Sequence, residues 1–158
     1  MSMHLEGVDV SFAHDIKNIF LIRDPERLIT SYAKVIENPT MRDIGLEKEW
    51  FLFKEVTAHS LKPWAVLDTG EVLKNPRKVL TQLCKQIDIP FSEEMLAWKA
   101  GPRKEDGIWA PYWYGSVHQS TGFMKQRSSH DPLPERLRPL YDDALPYYNM
   151  LYTHAIKA

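Results

Sequence analysis

Arg23 and Ser31 are side chains whose types and spacing fit one chemical task, the grip on an anion. Ile19-Phe20-Leu21-Ile22 precedes them, and this apolar run reads as a short strand buried on both faces, as in a parallel sheet. Asp24 and Pro25 then read as a helix start, Asp24 as N-cap and Pro25 at the first helical position. Arg23 is thereby set at the carboxyl end of a strand and just before a helix N-terminus. Open α/β sheets bind ligands there, and helix N-termini attract anions. A guanidinium at that point can hold a phosphate through two parallel hydrogen bonds. Ser31 falls two turns into the helix, on the same face as Arg27. The bland alternative pairs Arg23 with a surface carboxylate and bonds Ser31 back to its own helix.

A second basic segment lies far down the chain, Trp98-Lys99-Ala100-Gly101-Pro102-Arg103-Lys104-Glu105-Asp106-Gly107-Ile108-Trp109. It is too short and too broken by Gly and Pro for a helix. A basic pair between glycines can offer a phosphate both backbone N–H groups and two cations.

Together these segments carry a family resemblance. An Arg at a strand end followed eight positions later by a Ser resembles the 3′-phosphate-binding element of PAPS-dependent sulfotransferases, where PAPS is 3′-phosphoadenylyl sulfate. The basic segment resembles the same family's late Arg-Lys-Gly loop, which ends in Gly-x-Trp. Its matches are Arg103, Lys104, Gly107 and Trp109, with Glu105 standing where the family has a Gly. Residues 90–98 and 113–123 are similar to a bacterial-type sulfotransferase-like subfamily, and the resemblance runs from about residue 3 to about residue 123.

The resemblance implies an α/β fold of the P-loop NTPase-like kind. That is a three-layer sandwich with a short parallel sheet and many helices. It implies PAPS as co-substrate, no metal, and transfer of a sulfuryl group to the hydroxyl or amine of a small-molecule acceptor. Arg23, Ser31, Arg103, Lys104 and Gly107 are the expected donor-binding residues. His4, beside Leu5, stands where the family has its base, and a histidine titrates near the working pH. The family's opening strand, Gly-rich phosphate loop and helix have no counterpart in this sequence, so the first βα unit is expected to be missing. The chain is then either a fragment or a naturally reduced relative. The alternative function is a non-catalytic binding or interaction module, and an exposed sheet edge would favour a homodimer.

The elements that must position these residues follow from pattern. Strands are expected over 17–23 and 63–68, and helices over 25–37, 45–60 and 76–86, with Asn75 as N-cap and Pro76 at the first helical position. Leu46, Trp50, Phe53, Val56 and Thr57 form an apolar stripe at helical spacing. A helix is expected over 111–120, a polar linker over 127–134, and two C-terminal helices over 134–158, broken by Pro146. The strand-end acids Asp68 and Glu71 read as caps of the following helix or as groups that orient an acceptor or a base, and His14, His59 and His154 as surface or cap residues. His118 and His130 have no partners at metal-ligand spacing.

With 158 residues, 44% hydrophobic and 26% charged, the chain fits one domain over 1–158. A net charge of −1 gives no general attraction to nucleic acid or anionic membrane, so any anion site must be local. No apolar run approaches a membrane span, and the cytoplasm is the expected compartment. The single cysteine, Cys84, shares an apolar helix face with Val79, Leu80, Leu83 and Ile87, which reads as a core thiol.

Overall fold

The structure, a computed structural model, describes residues 7–108, 110–124 and 132–158. A 3₁₀ turn (Ser11–Asp15) leads into β1 (Asn18–Ile22), then α1 (Pro25–Tyr32), α2 (Met41–Ile44) and α3 (Leu46–His59). β2 (Trp64–Asp68) is followed by α4 (Thr69–Lys74) and α5 (Pro76–Gln86). Two single-turn helices, α6 (Ala110–Trp113) and α7 (Gly115–His118), precede the long α8 (Arg138–Tyr152). The fold is mixed α/β, as expected, built on a short parallel sheet.

β1 and β2 pair in parallel, with Ile22 opposite Asp68 at their carboxyl ends. The C-terminal segment runs along the other side of β2, where the Ile156 N–H donates to the Val66 carbonyl at 3.0 Å. β2 is therefore the inner strand and feeds two cores. On one face Val66 joins Phe20, Ile22, Ile29, Phe53, Val56 and Leu151. On the other, Ala65 and Leu67 join Val72, Val79, Leu83 and Ile156.

β1 differs from the expectation of burial on both faces. Phe20 and Ile22 are buried, but Ile19 is 48% and Leu21 59% exposed. β1 lies at the edge of the described sheet, and the helices that cover β2 on that side do not reach it. An unbroken apolar run identifies a strand but not what lies opposite each face.

Local chemistry explains most element ends. The Asp24 carboxylate accepts from the Arg27 N–H, and Asn75 accepts from the Lys78 N–H, so both caps are as expected. Gly45, at φ +69°, closes α2 and opens α3 at a sharp corner that other residues adopt with strain. α1 stops at Tyr32, earlier than the expected Glu37, because residues 33–36 close into turns ahead of Asn38-Pro39. α8 corrects another expectation, since it runs straight through Pro146. The lost backbone hydrogen bond is offset by packing: Ala144 and Leu151 are fully buried, each side lying against α1 and α3. The expected helix over 111–120 is the pair α6 and α7, separated at Tyr114. Among the described residues no helix is long and apolar enough to cross a membrane.

Candidate functional site

The β1–α1 corner places Arg23 as the sequence suggests, between the end of the strand and Asp24, the N-cap of α1. The side chain is half-buried, and among the described residues no carboxylate forms an ion pair with it. Burial, with the neighbouring Arg27 charge, pushes the Arg23 guanidinium below its ordinary pKa, and Asp24 offsets this only in part. A half-buried cation held without a counter-ion gains from an anion of its own. Ser31 is exposed on α1, and its hydroxyl makes no hydrogen bond among the described residues. Among the described residues, neither contact of the bland alternative is seen.

The basic loop is organised around a carboxylate. Asp106 Oδ2 accepts from the Arg103 N–H at 2.8 Å and lies 2.8 Å from His118 Nε2. The Asp106 N–H returns to the Arg103 carbonyl at 3.1 Å, closing a turn through Lys104 and Glu105 without a glycine at 105. These bonds, first the Arg103 N–H and then His118, hold the Asp106 carboxyl below the usual carboxylate range. Gly101, at φ +116°, donates to the His118 carbonyl at 2.7 Å and ties the loop to α7. The result is a cleft of about 290 Å³ lined by Trp98, Lys99, Arg103, Asp106, Tyr114 and His118.

The expected site residues thus fall into two groups. Arg23 and Ser31 stand at the start and along the body of α1, while Arg103 faces the loop cleft. Lys104 is exposed on the turn, and Gly107 accepts from the Ala110 N–H at the start of α6. Arg23 and Ser31 do not line the cleft, and no hydrogen bond or ion pair among the described residues links them to Arg103 or Lys104. The Arg103 backbone N–H is engaged by Asp106. His4 and Trp109 lie outside the described residues, as does His130. Sequence reasoning missed Lys99, Asp106 and His118 as cleft residues. The available signal was the aspartate three positions after Arg103, which is the spacing of a side chain that caps a turn.

The strand-end acids do more than cap. Asp68 Oδ1 accepts from the Glu71 N–H at 3.0 Å, and its Oδ2 from the Tyr148 hydroxyl at 3.1 Å. Glu71 is buried and accepts from Lys74 Nζ (2.5 Å), the Tyr152 hydroxyl (2.8 Å) and the Ala158 N–H (2.9 Å). Burial alone would raise the Glu71 pKa, but these three donors outweigh it and bring it to about 2.

The model for a sulfotransferase domain matches residues 1–155. The chain belongs to the sulfotransferase family. It is 38% identical over 138 residues to branched-chain-amino-acid aminotransferase-like protein 1 of Arabidopsis thaliana, covering 87% of this chain and 24% of that protein. With branched-chain-amino-acid aminotransferase-like protein 2 of the same plant it is 33% identical over 150 residues, covering 95% of this chain and 26% of that protein. This sulfotransferase-family chain thus spans about a quarter of the length of these curated relatives. It also has a likeness to the solved sulfotransferase domain from the curacin biosynthetic pathway, with TM-score 0.48 and 19% identity, over 80% of this chain and 52% of that one.

Proposed function

We propose that this chain binds the sulfuryl donor PAPS, or its product 3′-phosphoadenosine 5′-phosphate (PAP), through the 3′-phosphate. The observation that carries the reading is the half-buried Arg23 guanidinium with no carboxylate partner among the described residues, set before the N-terminus of α1. Arg23 forks onto two phosphate oxygens, Ser31 donates its hydroxyl to a third, and Arg27 adds positive charge nearby. Arg103 and Lys104 supply further cations from the loop, with Gly107 shaping its exit. The wider activity, which family membership supports, is transfer of the sulfuryl group to a hydroxyl or amine of a small acceptor. PAPS supplies that group when bound. His4 takes the acceptor proton, and the cations stabilise charge as it develops. No described strand carries a Gly-rich loop before a helix: β1 passes through Arg23-Asp24-Pro25 into α1, and β2 enters α4 directly. Donor recognition is therefore the better supported half of this reading.

Calorimetric titration with PAP tests it. Weak binding that largely disappears in Arg23→Ala is expected, and identical isotherms for the two proteins would remove the phosphate site. Sulfate transfer from PAPS, followed with acceptors of both classes, tests the wider activity separately.

A second reading, a non-catalytic interaction module, is favoured by the open face of β1, where Ile19 and Leu21 meet solvent. It leads to self-association through that face. A stable monomer by light scattering at high concentration would count against it.

A further inference from the structure

We propose that His14, Glu55 and His59 form a binding site for a late first-row divalent metal ion of the Zn²⁺ class, built from residues other than those proposed to hold the nucleotide. Glu55 and His59 stand one turn apart at the end of α3, and His14 comes from the 3₁₀ turn before β1. Glu55 Oε1 lies 3.3 Å from His14 Nε2 and 3.1 Å from His59 Nδ1. One donor atom from each of the three lies within 4.8 Å of the other two. Nitrogen and oxygen donors bind Zn²⁺ at about 2.0–2.2 Å in a tetrahedron, which sets neighbouring donors about 3.4 Å apart. The Glu55 contacts already have that spacing, and the His14 and His59 donors, within 4.8 Å of each other, close to it by rotation of the side chains.

The state of His14 points the same way. Its Nε2 is shielded from solvent and has no hydrogen-bond partner among the described residues, although it faces the Glu55 carboxylate. A cation between the two satisfies both atoms. The cradle is also held in place before any ligand arrives. The Ser60 hydroxyl donates to the His14 carbonyl at 2.7 Å, and Asn18 Nδ2 donates to the carbonyls of Ala13 (2.8 Å) and Ile16 (2.9 Å). One cost is visible. His59 Nδ1 is also 3.0 Å from the Glu55 backbone carbonyl, so a metal at Nδ1 displaces any proton shared there. Two imidazoles with one carboxylate select Zn²⁺-like ions over Mg²⁺ or Ca²⁺, which take oxygen ligands. Three protein ligands at a site open to solvent leave a coordination position for water. Occupancy fastens the turn that leads into β1 to the end of α3.

The test is titration of the chelator-treated chain with Zn²⁺, followed by calorimetry and thermal unfolding, and with Co²⁺, followed by visible absorption. One ion per chain is expected, with a Tm rise of about 5–10 °C at a hundredfold excess over the Kd. His59→Ala, at an exposed position, and Glu55→Gln should each weaken binding by at least roughly tenfold and abolish the Tm rise. His14→Ala should do the same, and circular dichroism reports whether that variant folds. No saturable binding, or binding unchanged in His59→Ala and Glu55→Gln, would overturn the site.

Discussion

β1 and β2 run side by side, and their carboxyl ends are opposite in kind. Beyond Ile22 stands Arg23, a half-buried cation that no carboxylate pairs among the described residues. Beside it β2 ends in Asp68, and Glu71 follows one turn later; both are buried and bonded from several sides. The saturated end joins β2, α4, α8 and the C-terminal segment, so it holds the fold together. At the other end, among the described residues, no carboxylate pairs with Arg23, and a cation in that state gains from an anion. Asp68 and Glu71 are the polar groups whose bonds hold the fold, and Arg23 is the one the proposed phosphate would satisfy.

Breaking the saturated end should have the largest effect. Glu71→Ala strands the Tyr152 hydroxyl and the Ala158 N–H. We expect a loss of about 2–3 kcal/mol, a Tm drop of roughly 5–10 °C in calorimetry. The same acid sets a pH dependence. Its folded pKa of about 2 lies below the ordinary glutamate value of 4.5, so its contribution is full above about pH 4.5 and is lost as pH falls toward 2. The mirror experiment is Arg23→Ala, which should leave Tm unchanged or slightly raised while weakening PAP at least roughly tenfold. A large Tm loss in Arg23→Ala would erase the contrast between the two ends.

The β1–α1 corner was legible because each of its signals is local: an apolar run, an N-cap and a proline at the first helical position. The same holds for Asn75-Pro76 and for the buried thiol of Cys84, 2% exposed. What could not be read depends on distance in sequence. Nothing in Ile19-Phe20-Leu21-Ile22 says that one face of β1 stays open. Pro146 obeys its local rule less than it obeys the packing of α8 on α3 and α1. The Glu71 site draws donors from Tyr152 and Ala158, and the His14 cluster spans two elements, so neither has a spacing signature. Within the basic loop the residue types were legible, but Asp106 as the centre of the turn was not.

The outer edge of β1 provides a smaller test. Glu49, on α3, lies close to the Leu21 backbone, and burial raises its pKa to about 7. The sign is opposite to that of Glu71. A carboxyl raised in the folded state binds its proton more tightly there, so stability falls as pH rises from about 4.5 to 7. Glu49→Gln keeps the size of the side chain and removes the charge. Chemical denaturation at pH 8 should find it about 1–2 kcal/mol more stable than the wild type, with little difference at pH 4.5. Equal stability at both values would mean that the β1 edge is not held by a titrating acid.

The smallest expected effect asks which end of the comparison the basic loop resembles. The loop carries a carboxylate among its cations, whereas no carboxylate pairs with Arg23 among the described residues. Asp106 sits among Lys99, Arg103 and His118 and takes up the Arg103 N–H, so the cleft is partly self-compensated. Asp106→Asn keeps an oxygen for the Arg103 N–H and removes one negative charge from the cleft. If Arg103 and Lys104 reach the nucleotide, PAP should bind a few-fold more tightly in this variant at low salt, and the gain should shrink as salt is raised. If the loop takes no part, the PAP affinity will match the wild type at every ionic strength, and recognition would rest on the β1–α1 corner alone. The double variant Arg23→Ala/Asp106→Asn then separates a loop that aids Arg23 from one that binds on its own. In the first case the gain vanishes with Arg23, because a cation at the loop can assist only a phosphate already held at the corner.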